Sequence, residues 1–205
     1  MRTPGVPPEL VSSIEAAARL LKEGGLVIYP TETFYGLGAA VSRADAVHKI
    51  GALKGRGDGK PMAVIAADEA SARSLWREVP PEAEVFIRRF WPGPLTLVLP
   101  ARPTLPFEIA STGEVGVRVS SHPVARELAR LAGPLISTSA NLSGNRESTR
   151  VIQIEHKVRD AADQVLDAGP TPGGRPSTVL GFKGAEPVIL REGAIQRALI
   201  DACRP

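Results

Sequence analysis

Short apolar runs of strand length are the feature that most restricts the fold of this chain. They alternate with amphipathic helical patterns early in the sequence and follow one another closely near its end. Parallel strands need long crossover connections, whereas antiparallel strands can succeed one another through short turns. The pattern therefore predicts an α/β (α+β) fold, a twisted mixed parallel and antiparallel sheet flanked by helices. The early runs are LVIYP, MAVIAA, LTLVLPA and EVGVRVS, and the late ones are DQVLDAG, STVLGF and PVILREG.

A helix is predicted before the first of these strands. Ser12 would begin it through a capping box with Glu15, and Ile14 and Leu21 then recur at helical spacing until Gly24 ends it. In the strand EVGVRVS the valines should lie on one face, with the arginine on the other. Both patterns predict which side chains enter the core.

Length and composition limit the class of protein. The 205 residues suit one domain, 43% of them are hydrophobic, and no apolar run approaches the roughly 18 residues of a membrane span. The N-terminus is rich in proline, and Cys203 is the only cysteine. We expect a cytoplasmic protein without disulfides or membrane contact.

Several common catalytic signatures are missing from the sequence. It has no G-x-x-x-x-G-K-[ST], no strand followed by G-x-G-x-x-G, no G-x-S-x-G and no H-E-x-x-H. His48, His122 and His156 lack ligand spacing, so structural or solvent-facing roles are favoured for His48 and His122, and no metal site from protein side chains is predicted.

The stretch LVIYPTETFYGLGA places hydroxyls and glycines at the end of an apolar strand. Thr31 and Thr33 are two apart, so their side chains share one side of an extended segment, and Gly36 and Gly38 permit close backbone approach to a ligand. A hydroxyl-capped turn explains the same residues equally well.

The stretch LKGRGDGKP carries three cations, Lys54, Arg56 and Lys60, on a glycine-rich loop. Charge-assisted bonds from such cations suit a triphosphate. A basic helix end that complements the helix dipole, followed by a solvated turn, is the alternative.

The stretch STSANLSG places Ser137, Ser139 and Asn141 at alternate positions after apolar residues. Buried hydroxyl and amide groups need partners, which a polar ligand or strand-end capping could supply. Arg118 among valines needs an acid or a bound carboxylate, and either is open. Together with Glu32 these groups favour charge stabilisation around phosphate chemistry over covalent catalysis.

Six segments occur in the order found in one known family. YPTETFYGLGA, ALKGRG, FWPGPLTLVL, VGVRVSSHP, STSANLSG and STVLGF…PVILREG resemble the YrdC-like family of threonylcarbamoyl-AMP synthases, from about Ser12 to Gly193. The chain looks like the short form of that family, a single YrdC-like domain over residues 1–205 with a core at about 12–193.

The resemblance implies a nucleotidyltransferase, an L-threonylcarbamoyladenylate synthase. It would convert L-threonine, bicarbonate and ATP, with Mg2+ accompanying the ATP, into threonylcarbamoyl-AMP and pyrophosphate. The product would feed threonylcarbamoyladenosine modification in transfer RNA, completed by separate threonylcarbamoyl transferase proteins. A paralogue that lacks synthase activity and binds RNA or a nucleotide is the alternative, and weak contact with transfer RNA is compatible with either reading.

The resemblance also implies roles for individual residues. The matching positions fall into a catalytic group, a threonine-binding group and an ATP-binding group. They are, for catalysis, Lys54, Arg56, Ser139 and Asn141; for threonine, Thr31, Thr33, Tyr35, Arg118, Ser139 and Ser177; and for ATP, Lys54, Arg56, Lys60, Asn141, Thr149 and Arg191. Gly57 and Lys60 depart from the proline and asparagine common in the family, and Ile65 replaces a histidine found in some members.

Overall fold

The computed structural model describes residues 3–55 and 62–203 of the chain. Within these ranges helices separate most strands of the first two thirds, the β1–β2 hairpin excepted, and none of the helices there is long and apolar enough to cross a membrane. Short 3-10 turns cover Pro8–Leu10 and Val151–Gln153. The α-helices are α1 (Val11–Lys22), α2 (Ala44–Leu53), α3 (Glu69–Arg73), α4 (Pro81–Phe90), α5 (Phe107–Ala110), α6 (Pro123–Ala132), α7 (His156–Asp160) and α8 (Arg197–Asp201).

The strands of the described residues form two mixed sheets, so the prediction of mixed pairing flanked by helices is confirmed. The smaller sheet has the order β7-β2-β1-β8 and the larger one β10-β9-β4-β5-β3-β6. The strands are β1 (Val27–Pro30), β2 (Tyr35–Gly38), β3 (Val64–Ala66), β4 (Leu95–Pro100), β5 (Glu114–Val119), β6 (Leu135–Ile136), β7 (Thr138–Ser139), β8 (Gln164–Val165), β9 (Thr178–Lys183) and β10 (Glu186–Arg191).

Ser137 marks the point where the chain passes from one sheet to the other. Before it, β6 pairs antiparallel with β3 in the larger sheet, and after it β7 pairs antiparallel with β2 in the smaller sheet. The apolar residues before Ser137 and the polar residues after it therefore form two short strands, because Ile136 pairs with Val64 of β3 and Thr138 with Leu37 of β2.

Alternation along β5 divides that strand between core and cavity as predicted. Val115, Val117 and Val119 are buried in the larger apolar cluster, while Gly116 and Arg118 face the opposite side and line a cavity. Full burial of each such valine stabilises the fold by about 1.5–3 kcal/mol.

Helices α1 and α6 pack together over a second apolar cluster. Ile14 and Leu21 of α1 are fully buried there beside Leu128 of α6. The helix begins at Val11, without a side-chain cap, so the prediction that Ser12 caps it is wrong. The Pro8–Leu10 turn leads directly into α1, which removes the need for a hydroxyl cap.

The segment after β1 folds into a hairpin, because β2 returns antiparallel to β1. A Cβ on Gly38 would lie 2.5 Å from Tyr29 Cε1 and 2.8 Å from the carbonyl oxygen of Ile136. The close approach at Gly38 is therefore made by the Tyr29 ring, whereas Gly36 does line the cavity. Burial raises the pKa of Tyr29 to about 12, against a weaker opposing effect of its hydrogen bond with Ser137.

We predict that Gly38→Ala destabilises the protein by about 1–3 kcal/mol, because the added methyl overlaps the Tyr29 ring and backbone. Gly51→Ala is the matched control. It lies inside α2, and its Cβ would be in ordinary van der Waals contact with Met62 Cε at 3.7 Å. It should stabilise by about 0.5–1 kcal/mol through helix propensity. Urea unfolding measures the change in the free energy of unfolding for both variants. Equal changes would contradict the packing argument.

Glu127 of α6 fastens the N-terminal segment to the core. Its Oε2 accepts hydrogen bonds from the backbone amide of Thr3 at 2.9 Å and from Arg130 Nε at 2.8 Å, and the side chain is 5% exposed. The Arg130 hydrogen bonds lower the pKa of Glu127 to about 2 despite its desolvation.

A carboxyl whose pKa is depressed by folding stabilises the native state above its unfolded pKa, and this contribution is lost as pH falls through the folded pKa. For Glu127 that window runs from about 4.5 down to about 2. We expect Glu127→Gln to reduce the free energy of unfolding most at neutral pH, with the difference from wild type shrinking as pH falls below about 4.5. A difference that stays constant down to pH ~2.5 would refute this role.

Candidate functional site

A cavity of about 400 Å³ opens between the β1–β2 turn and one face of the larger sheet. Hydroxyls, two arginines and apolar side chains share its wall. The lining residues are Thr31, Thr33, Phe34, Tyr35, Gly36, Met62, Ala63, Thr96, Val98, Thr112, Glu114, Gly116, Arg118, Ser137, Thr138, Ser139, Glu147, Pro176, Ser177, Val179, Leu190 and Arg191.

Strand register creates the floor of this cavity. Leu97 pairs with Val117 in antiparallel β4 and β5, so Thr96 lies beside Arg118 on the face opposite the core. Thr96 also pairs with Val179 in parallel β9. A polar residue is thus set between two neighbouring strands on the cavity side.

Arg118 forms a buried ion pair with Glu32. Its Nε lies 3.2 Å from Glu32 Oε1, and each side chain is 8% exposed. Ser120 donates its hydroxyl to Glu32 Oε2. The sequence left open whether Arg118 meets an acid or a ligand; the structure supplies the acid. Of the three guanidinium nitrogens, only Nη1 donates a hydrogen bond within residues 3–55 and 62–203, to Ser177 Oγ at 3.4 Å. The contact of Nε with Glu32 Oε1 is an ion pair without hydrogen-bond geometry.

His122 lies just beyond this pair and has a structural role, as predicted for it. Its backbone amide donates to Ser120 Oγ, and its ring Nδ1 accepts from the Val124 amide at the start of α6. Burial lowers the pKa of His122, against a weaker opposing effect of Glu32. A neutral ring at this position keeps Nδ1 free to accept. His48 is exposed, in agreement with its predicted solvent-facing position.

Ser177 connects three polar side chains of the cavity. Its Oγ lies 2.9 Å from Thr96 Oγ1, 3.4 Å from Arg118 Nη1 and 3.2 Å from Arg191 Nη2. Arg191 Nη2 also donates to the Ser177 carbonyl oxygen at 2.9 Å. The structure therefore brings Arg118, Ser177 and Arg191 together, as expected of residues in one site.

The two threonines of the β1–β2 turn are linked to each other. Thr31 Oγ1 donates to the Phe34 carbonyl at 2.7 Å and lies 3.1 Å from Thr33 Oγ1. Tyr35 lines the cavity, but its hydroxyl has a single proton and lies within hydrogen-bond distance of two acceptors outside the cavity lining, Gly169 O at 2.7 Å and Asp167 Oδ1 at 3.0 Å. Burial raises the pKa of Tyr35 to about 12. Any contact of Tyr35 with a ligand would use its ring or backbone.

Lys54, Ser139 and Asn141 form one hydrogen-bonded cluster beside the cavity. Lys54 Nζ donates to the Ser139 carbonyl at 2.7 Å, the Asn141 carbonyl at 2.5 Å and Asn141 Oδ1 at 2.8 Å. Ser139 Oγ donates to Asn141 Oδ1 at 2.6 Å. Residues 85 positions apart in sequence are thus joined, with Lys54 only 4% exposed.

This cluster orders the polar loop after β7. Asn141 Nδ2 donates to the Asn145 carbonyl at 2.6 Å, and Ser143 Oγ donates to the Lys54 carbonyl at 2.5 Å. A lysine ammonium has three N–H donors, which match the three loop oxygens around Lys54. Lys54 therefore acts on the cavity through the loop that it holds. Of the three residues in the cluster, Ser139 is the one that lines the cavity.

The remaining predicted residues have different positions. Thr149 does not line the cavity. Its hydroxyl donates to Gln153 Oε1 at 3.0 Å, and its methyl group packs near Gly173. Arg56 and Lys60 lie outside the described residues, so their ATP contacts stay predictions. In the part of the chain that is described, no three His, Cys, Asp or Glu side chains group as metal ligands.

Sequence reasoning missed Thr96 and the part played by Ser120. Thr96 is the only polar residue in the apolar run LTLVL, and it is 2% exposed. Its position opposite the core leucines was readable from alternation, but its contact with Ser177 depends on the parallel pairing of β4 with β9, which alternation cannot give.

Fold and cavity together define an α/β protein with a polar cleft, to which two sheets contribute arginines, glutamates and hydroxyls. The sequence profile of a family described as "Telomere recombination", covering Sua5, YciO and YrdC, matches residues 19–193. The chain belongs to this family.

Named relatives support this assignment to the family. The chain is 41% identical to the threonylcarbamoyl-AMP synthase of Bacillus subtilis over 192 residues, covering 92% of this chain and 56% of that protein. It is 36% identical to a putative threonylcarbamoyl-AMP synthase of Mycobacterium tuberculosis, covering 92% and 88%. The structure of P. abyssi Sua5 complexed with L-threonine matches with a TM-score of 0.86 at 37% identity, covering 94% and 57%. The chain thus spans little more than half of the Bacillus and Pyrococcus relatives.

We predict that Glu32→Ala lowers the free energy of unfolding by about 3–5 kcal/mol, because it leaves the buried Arg118 guanidinium without its acid. Glu69→Ala, which removes one partner from an exposed helical pair with Arg73, is the control and should cost within about 1 kcal/mol. Urea unfolding at neutral pH provides the comparison. Losses of similar size would show that the Glu32–Arg118 pair is solvated.

Proposed function

We propose that the protein is an L-threonylcarbamoyladenylate synthase. The amine of L-threonine would combine with bicarbonate to give a carbamate and water. A carbamate oxygen would then attack the α-phosphorus of Mg-ATP, forming the new P–O bond as the bond to the β-phosphate oxygen breaks and pyrophosphate leaves. The reaction needs positioning and charge stabilisation more than a covalent intermediate.

One observation carries this proposal. Arg118, Ser177 and Arg191 line the same cavity as Ser139, which belongs to the Lys54–Ser139–Asn141 cluster predicted from separate motifs. The named synthases are 36–41% identical over nearly the whole chain, and the P. abyssi relative is described as complexed with L-threonine.

The arginine group is the best candidate for the threonine end. Arg118 is held by Glu32 through Nε, which leaves Nη2 available to a carboxylate. Glu32 neutralises much of the buried charge while fixing the orientation of the fork. Thr33 lines the same cavity and can meet the amine.

The phosphate end would involve the Lys54 loop. Lys54 sets the loop through Asn141, and Ser139 brings its hydroxyl to the cavity wall. Contacts of Arg56, Lys60 and Thr149 with ATP, and of Arg191 from the cavity mouth, belong to the same proposal. The donors would stabilise charge that moves onto pyrophosphate.

The test is mass-spectrometric detection of threonylcarbamoyl-adenylate after incubation of the protein with Mg-ATP, bicarbonate and L-threonine, with pyrophosphate release followed in parallel. Product that requires all three substrates supports the synthase. ATP binding without product would favour the alternative, a paralogue that lacks synthase activity and binds RNA or a nucleotide. A single domain, a cytoplasmic location and downstream transferase partners are part of the same proposal.

We predict that Arg118→Lys raises the KM for L-threonine about tenfold or more and changes the KM for ATP less than twofold. A lysine keeps a charge near Glu32 but cannot bind a carboxylate bidentately. Arg197→Lys is the control, since Arg197 is exposed and paired with Glu192 away from the cavity. Equal effects on both KM values would remove Arg118 from the threonine end.

A further inference from the structure

Thr96 lies at the floor of the cavity with one protein hydrogen-bond partner among the described residues, Ser177. Its methyl group is directed at Gly116, where an added Cβ would be 3.1 Å from Thr96 Cγ2. The absence of a side chain on Gly116 leaves room for this methyl group, and with it for the rotamer in which the Thr96 hydroxyl meets Ser177.

Hydrogen-bond donors around Ser177 decide the direction of this contact. Arg118 Nη1 and Arg191 Nη2 can only donate, so they take the two acceptor positions of Ser177 Oγ. The Ser177 proton is then left for Thr96 Oγ1 at 2.9 Å. Thr96 accepts that bond, and its own proton must find an acceptor in the cavity.

On the opposite wall of the cavity, formed by the β1–β2 turn, the hydroxyl of Thr33 faces the ligand as an acceptor and not as a donor. Thr31 gives its proton to the Phe34 carbonyl, so Thr33 must be the donor in the Thr31–Thr33 pair. Thr33 therefore offers oxygen lone pairs to the cavity, which repel a carboxylate and accept from an amine. An amino acid would lie with its carboxylate at the Thr96 end.

We propose that Thr96 is a substrate-binding residue whose hydroxyl donates to the carboxylate of the amino-acid substrate, beside Arg118 Nη2. The inference rests on the proposed function, because it takes the ligand to be an L-amino acid. Ser177 is a positioning residue. It accepts hydrogen bonds from the two guanidinium groups and donates its own to Thr96, which leaves the Thr96 proton for the ligand.

The experiment compares binding of L-threonine with binding of L-threoninamide, which lacks the carboxylate, by calorimetry on wild type and Thr96→Val. Valine keeps the methyl on Gly116 and removes the hydroxyl. A charge-assisted hydrogen bond predicts threonine binding about tenfold to a hundredfold weaker, with threoninamide affected far less. The preference for threonine over the amide should fall by the same factor, and Thr96→Ser should restore it.

Thr178→Val is the structural control. Thr178 is a fully buried threonine adjacent to Ser177, but its hydroxyl bonds the backbone of Ile195 at 2.8–2.9 Å. It should lower stability without changing the ratio of the two affinities. Thr96→Ala replaces the valine variant in the same comparison if valine does not fold.

The outcomes separate the two claims. Equal weakening of both ligands by Thr96→Val, or no weakening, overturns the role of Thr96 and leaves the synthase proposal standing. Failure of the wild-type chain to bind L-threonine at all overturns the proposed function, and the inference with it.

Discussion

The ion pair between Glu32 and Arg118 is the interaction on which the cavity depends. Glu32 belongs to the turn between β1 and β2 of the smaller sheet, and Arg118 to β5 of the larger one, so the pair ties the two sheets across the site. A buried pair adds little net stability over an apolar substitute, because desolvation opposes the attraction. Its value lies in geometry, since it holds one edge of a guanidinium and leaves another edge toward the cavity.

Lys54, like Arg118, positions its neighbours more than it adds net stability. A buried ammonium that donates to three oxygens of one loop would be a costly way to gain stability alone. It gives the loop a single conformation and places Ser139 at the cavity wall. Both cations therefore position neighbouring groups, Glu32 and Ser177 in one case and Asn141 in the other.

Much of the fold could be predicted because burial follows alternation. The division of β5 into core valines and a cavity-facing Arg118 was readable from the sequence, as was the apolar face of α1. The site residues were collected by resemblance and by polar groups at strand ends. What could not be predicted depends on strand partners, such as the β1–β2 hairpin, the division into two sheets and the contact between Thr96 and Ser177. Those features arise from pairing between distant segments, on which local patterns carry no information.

The passage of the chain from one sheet to the other at Ser137 also has a consequence for redesign. Strands β6 and β7 are hydrogen-bonded to different sheets on either side of one residue, so covalent backbone joins the two sheets at the wall of the cavity. Moving the sheets apart at this wall would strain that link or break strand hydrogen bonds on one side of Ser137. A variant intended for a bulkier amino acid must obtain its volume from side chains of the wall, such as Val98, Val179 and Leu190.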